Sequence, residues 1–411
     1  MISVREALAC VLGELPRLGA EQVAVTRARG RVLAEAIRAP RDVPPFANSA
    51  MDGYAVRAAD TSGAAATRPV ALRVLETVGA GGLPQQAVAA GAAIRIMTGA
   101  VVPEGADAVV RVEDTREVAG GVEILNAVRS GNAIRHAGED MRADEVVLTV
   151  GRLLRPADVG LLASLGFAMV RVVRRPRVTV LVTGDELVEV GQPLGPGQIF
   201  NSNAYTLAAA VEEAGGIPTL LGIVRDEPEL MRSAFAEAFS ADMVLSTGGV
   251  SMGSFDFVRR ILQDLSYQER FWQVAQKPGK PLTFGLRRDV PVFGLPGNPV
   301  SSLVCFYVYV LPALRMMMGL QQVHLPNVAA VLTERLRKSE GLTEFIRCVV
   351  EGSSDQYRVR STGSQSSGVL RSLSLGDGLI VGPADLSVLE SNCSVRVILL
   401  AADAGSSVAP V

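Results

Sequence analysis

The chain has 411 residues, 48% of them hydrophobic and only 5% aromatic, with 40 basic against 42 acidic side chains and a formal net charge of -2. That length suggests two to four domains, with cores built from Val, Leu, Ala and Ile. The near-neutral balance gives no electrostatic case for nucleic acid or an anionic membrane as partner. Cys10, Cys305, Cys348 and Cys393 lie far apart with no CxxC pair, which suits a reducing cytoplasm rather than a disulfide framework. His136 and His324 are the only histidines. A zinc site of His and Cys is therefore not expected, and any metal should be hard and oxygen-ligated, such as Mg²⁺.

The N-terminus shows no secretory pattern, because Arg5 and Glu6 interrupt it. Residues 3–15 read as an amphipathic helix, with Ser3 as N-cap and Glu6 completing a capping box. Residues 28–39 fit either a short strand or a helical piece. Residues 44–57 carry Pro44, Pro45, Asn48, Ser49 and Asp52-Gly53, which by turn chemistry is a loop. A β-like region follows, with alternating runs at 92–97, 108–112 and 122–125. Pro156 opens a helix that Gly166 stops. Arg171, Arg174, Arg175 and Arg177 form a basic junction, read as a solvated face.

Residues 177–301 organise the chain. Three apolar runs, 177–182, 242–245 and 290–295, each end in a turn: Thr183-Gly184-Asp185-Glu186, Ser246 to Gly253, and Pro296-Gly297-Asn298-Pro299. Continuous apolar runs of this length read as strands buried on both faces. Helical patterns at 204–214, 227–239 and 255–265 separate them, so a mostly parallel sheet with right-handed crossovers is expected. Ligands of such sheets sit beyond the carboxyl ends of the strands, where these turns fall.

Glycine turns and helix starts favour an anionic, phosphate-bearing ligand. Asn298-Pro299 reads as an N-cap followed by Pro at the first helical position. Lys277-Pro278-Gly279-Lys280 adds two cations before the third strand. Two known phosphate motifs fail. Gly248 to Gly253 has GxxxxG spacing but is followed by Ser254-Phe255, and no G-x-G-x-x-G follows a strand. Asp185, Glu186, Asp226 and Asp256 are the acids near the predicted pocket. Residues 300–314 are apolar, contain Pro312 and read as a buried helix, shorter than the ~20 residues a bilayer needs. After Gly319 only short β-like runs remain, giving a small all-β domain. There Arg347 shares a strand face with Phe345 and Val349, so it is either edge-exposed or aimed at a ligand.

Thr183-Gly184-Asp185-Glu186-Leu187, Gly248-Gly249-Val250-Ser251, Lys277-Pro278-Gly279-Lys280-Pro281 and Gly294 to Ser301 resemble the molybdopterin molybdenumtransferase family, MoeA, with the related domain of gephyrin. Pro45 to Arg57, Met97-Thr98-Gly99-Ala100 and Ala137-Gly138-Glu139-Asp140 extend the resemblance over nearly the whole chain. The resemblance implies a multidomain α/β fold whose central three-layer domain, 173–319, binds molybdopterin. An N-terminal helical linker domain (1–46 and 138–172) would carry an inserted β-rich domain (47–137), and 320–411 would form a C-terminal β-barrel or sandwich. It also implies insertion of molybdenum from molybdate into adenylated molybdopterin with release of AMP.

By the same resemblance, Asp52, Asp140, Asp226, Lys277 and Lys280 are catalytic, and Glu186 and Asp256 hold Mg²⁺. The substrate is bound by Thr183, Gly184, Asp185, Gly248, Gly249, Ser251, Pro296, Gly297, Asn298, Pro299, Ser301, Arg347 and Ser367. The family acts as a homodimer with a composite cleft, and the molybdopterin adenylyltransferase is a further implied partner. The alternative is a pterin-binding scaffold protein of the same family without catalysis. Two departures stand out. Ser366 replaces a usual Gly, which would strain the turn if φ is positive there, and Asp144 stands where Gly is common.

Overall fold

The computed structural model describes residues 1–248, 255–353 and 356–400. Contacts divide the chain into two compact units. One comprises Met1–Ala34, Gly151–Arg155 and Met169 onward; the other comprises Glu35–Val150 and Pro156–Ala168.

The second unit is β-rich. Its six-stranded sheet runs Ala108–Arg111, Gly53–Val56, Ala92–Ile96, Val70–Val78, Gly121–Ile124, Thr115–Val118. The segment expected to be a loop supplies two strands, Asn48–Ser49 and Gly53–Val56. Tyr54, Ala55 and Val56 are almost wholly buried between two antiparallel neighbours, so pairing and burial override the turn-like composition. Ile37–Arg38 pairs with Val146–Leu148, which settles that part of 28–39 as strand. The helix opened by Pro156 spans Pro156–Ser164.

In the first unit, Val4–Gly13 is helical behind its capping box. The Ser3 hydroxyl accepts from the Glu6 amide at 3.2 Å, and the Glu6 carboxylate accepts the Ser3 amide at 2.8 Å. The central sheet has six strands in the order Ile217–Val224, Arg177–Thr183, Met243–Thr247, Val290–Leu295, Thr283–Arg287, Gln268–Trp272. The first four are parallel and the last two antiparallel. Ser202–Glu213, Pro228–Ala238 and Phe255–Asp264 are its helices.

The apolar runs are continuous because both faces are covered. Val180, Leu245 and Phe293 pack into one cluster with Leu207 and Val304. Their neighbours Leu181, Val244 and Val292 pack into another with Phe235 and Ile261. Each such buried side chain contributes roughly 1.5–3 kcal/mol. The antiparallel pair was not expected from sequence. Its strand Gln268–Trp272 buries only Phe271 on its inward face and so lacks an apolar run.

Pro299–Met317 forms one 19-residue helix whose most apolar window is 78% buried. It does not stop at Pro312. A π-helical stretch, Phe306–Val310, precedes that proline and shifts the hydrogen-bond register where its missing N–H falls.

The C-terminal strands close into a small barrel. Thr343–Ser353, Gln356–Ser361, Asn327–Leu332, Ser394–Leu399 and Gly378–Gly382 pair in turn, and the last returns to the first. Gln276–Lys277 adds to Thr343–Ser353 as a parallel edge. One short helix, Arg371–Ser374, interrupts the expected all-β pattern.

Candidate functional site

The carboxyl ends of the parallel strands border a cleft of about 700 Å³. All three predicted turns contribute to its lining: Thr183, Gly184 and Glu186 from the first, Thr247 and Gly248 from the second, Pro296 to Pro299 from the third. Asp226, at the end of the fourth parallel strand, joins them.

Close approach of backbone explains the glycine at 248. Its φ is +89°, and a β-carbon there would overlap the Thr183 carbonyl oxygen of the neighbouring strand. The cleft floor is tied by a short polar chain. Asn203 Nδ2 donates to Thr247 Oγ1 at 3.0 Å and to the Gly297 carbonyl at 2.7 Å, and Thr247 Oγ1 donates to the Pro296 carbonyl at 3.0 Å.

Asn201, Ser202 and Asn203 line the cleft but were not singled out from sequence. The first turn does not lead straight into a helix. It runs into the paired pieces Leu187–Val188 and Ile199–Phe200, and the helix begins only at Ser202. Asn201 caps that helix by accepting from the Ala204 amide at 3.2 Å. An Asn-Ser-Asn run before a helical pattern was the available signal.

Electrostatically the cleft wall is acidic. Asp226 is held above the usual carboxylate range, first by loss of water at the wall and then by the charges of Asp185 and Glu186. Asp185 faces Arg225, with Oδ1 3.7 Å from Nη1. Glu186 and Asp226 are hard oxygen donors, the type Mg²⁺ takes alongside water and phosphate oxygens. Among the described residues no group of three His, Cys, Asp or Glu side chains forms a complete cation cage. Asp256 falls at the start of the helix Phe255–Asp264, its side chain outside what is described, and Gly249 and Ser251 lie outside the described residues.

Asn298 occupies the N-cap position and Pro299 the first turn, but the Asn298 side chain does not cap. It donates instead to Ser367 Oγ at 2.9 Å, while the Val300 amide donates to the Ser367 carbonyl at 3.2 Å. Ser367 thereby meets the third turn, and neighbouring Gly368 lines the cleft. Arg347 proves to be neither edge-exposed nor a lining residue. It is 1% exposed and holds the Ser367 loop from within. Its Nε donates to Ser372 Oγ at 3.1 Å and its Nη2 to the carbonyls of Ser364 and Ser366 at 3.3 and 3.1 Å. Its backbone exchanges hydrogen bonds with the Gln365 amide group. Burial pushes the guanidinium down to about 10, still charged at neutral pH. Ser366 does not adopt a positive φ, so the expected strain does not arise; Asp144 does, at +66°, a conformation Asp tolerates.

The lysine turn also differs from expectation. It precedes the antiparallel strand Thr283–Arg287 rather than the third parallel strand. Lys277 and Lys280 lie outside the cleft lining, whereas Pro281 belongs to it. Lys277 Nζ sits 3.4 Å from both Glu344 Oε1 and Ser339 Oγ. A buried network fixes the turn from behind. Tyr309 OH donates to Gln276 Oε1 at 2.5 Å, and Gln276 Nε2 donates to the Pro278 and Gly279 carbonyls, both at 3.2 Å. Gly279 has φ +93°, and a β-carbon there would overlap Cys305 Sγ. Ser301, buried in the helix Pro299–Cys305, is also outside the lining.

Within the other unit the first two N-terminal signatures meet, and the third is tied to the residues just before the first. Asp52 Oδ1 accepts from the Thr98 amide and hydroxyl, both at 2.7 Å, and these bonds hold its carboxyl below the usual range, the amide bond first. The Gly138 and Asp140 amides donate to the Pro44 and Val43 carbonyls, each at 3.0 Å. Asp52 and Asp140 are both exposed on this unit.

Comparison with known proteins follows the same segments. The chain matches the MoeA N-terminal region (domain I and II) over residues 2–166, a probable molybdopterin binding domain over 179–316, and the MoeA C-terminal region (domain IV) over 329–400. It is 40% identical to molybdopterin molybdenumtransferase 2 of Mycobacterium tuberculosis, over 91% of this chain and 94% of that one. It is 37% identical to the molybdopterin molybdenumtransferase of Bacillus subtilis, over 94% and 91%. The crystal structure of a molybdopterin biosynthesis MoeA protein from Pyrococcus horikoshii superposes with a TM-score of 0.84 at 33% identity, covering 97% of this chain and all of the other.

Proposed function

The chain belongs to the family of molybdopterin molybdenumtransferases, enzymes of molybdenum cofactor biosynthesis, and on that premise we propose that its strand-end cleft binds adenylated molybdopterin and exchanges AMP for molybdenum drawn from molybdate. The observation that carries this reading is the convergence of Thr183-Gly184, Thr247-Gly248 and Pro296 to Pro299 on one cleft, with Glu186 and Asp226 on its wall. Two carboxylates alone would repel a phosphate. Glu186, with Asp256 at the start of the next helix, would hold Mg²⁺, which when bound offsets the phosphate charge and polarises the bond to AMP. Asp226 shares that wall. The residues themselves position the ligand and stabilise charge; no nucleophile with an adjacent base lines the cleft among the described residues.

Lys277 and Lys280 attract the anionic substrates to its approach. Asp52 and Asp140 complete the site across a homodimer. Support for self-association comes from the edge strand Ile217–Val224, which leaves Ile217 and Leu220 exposed. The molybdopterin adenylyltransferase is the source from which the substrate would be passed, and four cysteines without disulfides suit a cytoplasmic setting.

The test is turnover of adenylated molybdopterin with molybdate and Mg²⁺, followed by AMP release. Wild type should release AMP, and Glu186→Gln and Asp256→Asn should abolish release with the fold intact. Ligand binding without AMP release by wild type would make the chain a scaffold instead.

A further inference from the structure

Among the described residues, two polar atoms buried at the cleft have no hydrogen-bond partner: the Thr183 hydroxyl and Asn203 Oδ1. Thr183 is 3% exposed and Asn203 9%, and both line the cleft. The Asn203 amide cannot be turned round. Thr247 Oγ1 gives its proton to the Pro296 carbonyl and so must accept from Asn203, and the Gly297 carbonyl can only accept. Nδ2 therefore serves both, and Oδ1 is left as an acceptor. Thr183 ends the neighbouring parallel strand, its hydroxyl 3.0 Å from the position a Gly248 β-carbon would take. Folded chains rarely keep buried polar atoms unpaired, and those they keep call for an account.

We propose that Asn203 Oδ1 and the Thr183 hydroxyl form a subsite that reads the edge of a planar heterocycle bearing an N–H next to an acceptor atom. Oδ1 can only receive a proton, so the ring must supply an N–H. The hydroxyl donates to the adjacent ring acceptor. Leu187, Phe200 and Pro296 line the same cleft and offer apolar surface to the ring faces. The pterin and the adenine of adenylated molybdopterin both carry such an edge, so the inference rests on the function proposed above and narrows it to a ring.

The experiment titrates wild type, Thr183→Val and Asn203→Ala with AMP and with adenylated molybdopterin, alongside thermal melts. Valine keeps the branched shape of Thr183 and removes a hydroxyl that no protein atom uses. Thr183→Val should therefore melt at the same temperature or higher, yet bind the seated ligand roughly tenfold more weakly. Asn203→Ala should weaken the same ligand. Loss for adenylated molybdopterin alone assigns the subsite to the pterin; loss for both ligands assigns it to adenine. Wild-type affinity of both variants for both ligands overturns the inference, as does a lower melting temperature of Thr183→Val with affinity retained. If wild type binds neither ligand, the functional reading itself fails and the subsite falls with it.

Discussion

At the strand ends of the α/β domain, Thr183 and Asn203 keep polar atoms without partners. In the C-terminal barrel, buried Arg347 uses its amide, carbonyl, Nε and Nη2 in hydrogen bonds to one loop. Both places border the same cleft. The difference separates two jobs that sequence signatures do not distinguish. A saturated network fixes geometry by itself, and its members serve by holding others in place. An unsaturated one is held by only some of its polar atoms, as Asn203 is through Nδ2, and its spare atoms are free to meet a ligand. Arg347, expected at the ligand, belongs to the first kind; Asn203, overlooked, belongs to the second.

The contrast can be broken most forcefully at Gly248, where the backbone of one strand end lies directly against the next. Gly248→Ala places a side chain at φ +89° against the Thr183 carbonyl and should cost more than about 4 kcal/mol in chemical denaturation. A variant as stable as wild type would mean that the strand ends are pliable. Next in size is Arg347→Met, which leaves the Ser364 and Ser366 carbonyls and the Ser372 hydroxyl without their donor. A loss of about 3 kcal/mol is expected, with Arg347→Lys recovering only part because an ammonium lacks the guanidinium fork. An unchanged denaturation midpoint would remove Arg347 from the saturated class.

The smallest effect sharpens the contrast within the lysine turn. Lys277 is paired with buried Glu344, whereas the Lys280 ammonium has no side-chain partner among the described residues. Lys277→Ala should lower stability by up to about 1 kcal/mol and Lys280→Ala by less than about half that. Equal melting temperatures for the two variants would show that the pair with Glu344 does not matter.

Much of this was legible from the chain. Buried parallel strands announce themselves as apolar runs because both faces are covered, so 177–182, 242–245 and 290–295 were found with their turns. Ser3 and Glu6 marked a helix start because capping is local chemistry. What escaped depends on distant partners. Gln268–Trp272 buries only Phe271, and Gly53–Val56 becomes a strand through neighbours about forty and fifty-five residues away. The side chains of Asn298 and Arg347 could not be aimed from sequence, because Ser367, Ser372 and the loop carbonyls they meet are brought to them by the barrel. Asn203 was missed because the helical pattern was started at 204, whereas the helix begins at Ser202 and carries Asn203 in its first turn.

The helix Pro299–Met317 has a bearing on how the protein is made. By length and composition it would suit a bilayer as well as a protein interior. Many of the buried residues in its cluster, among them Val11, Val180, Val182, Leu207, Leu245, Phe293 and Leu295, lie earlier in the chain. During synthesis from the N-terminus, these residues leave the ribosome first and are ready to receive the helix as it emerges. Truncation before residue 299 would leave an uncovered apolar sheet face, and deletion of the N-terminal helix or of the first parallel strand would leave the apolar helix itself uncovered. Damage early in the chain should therefore yield the more membrane-seeking and aggregation-prone product.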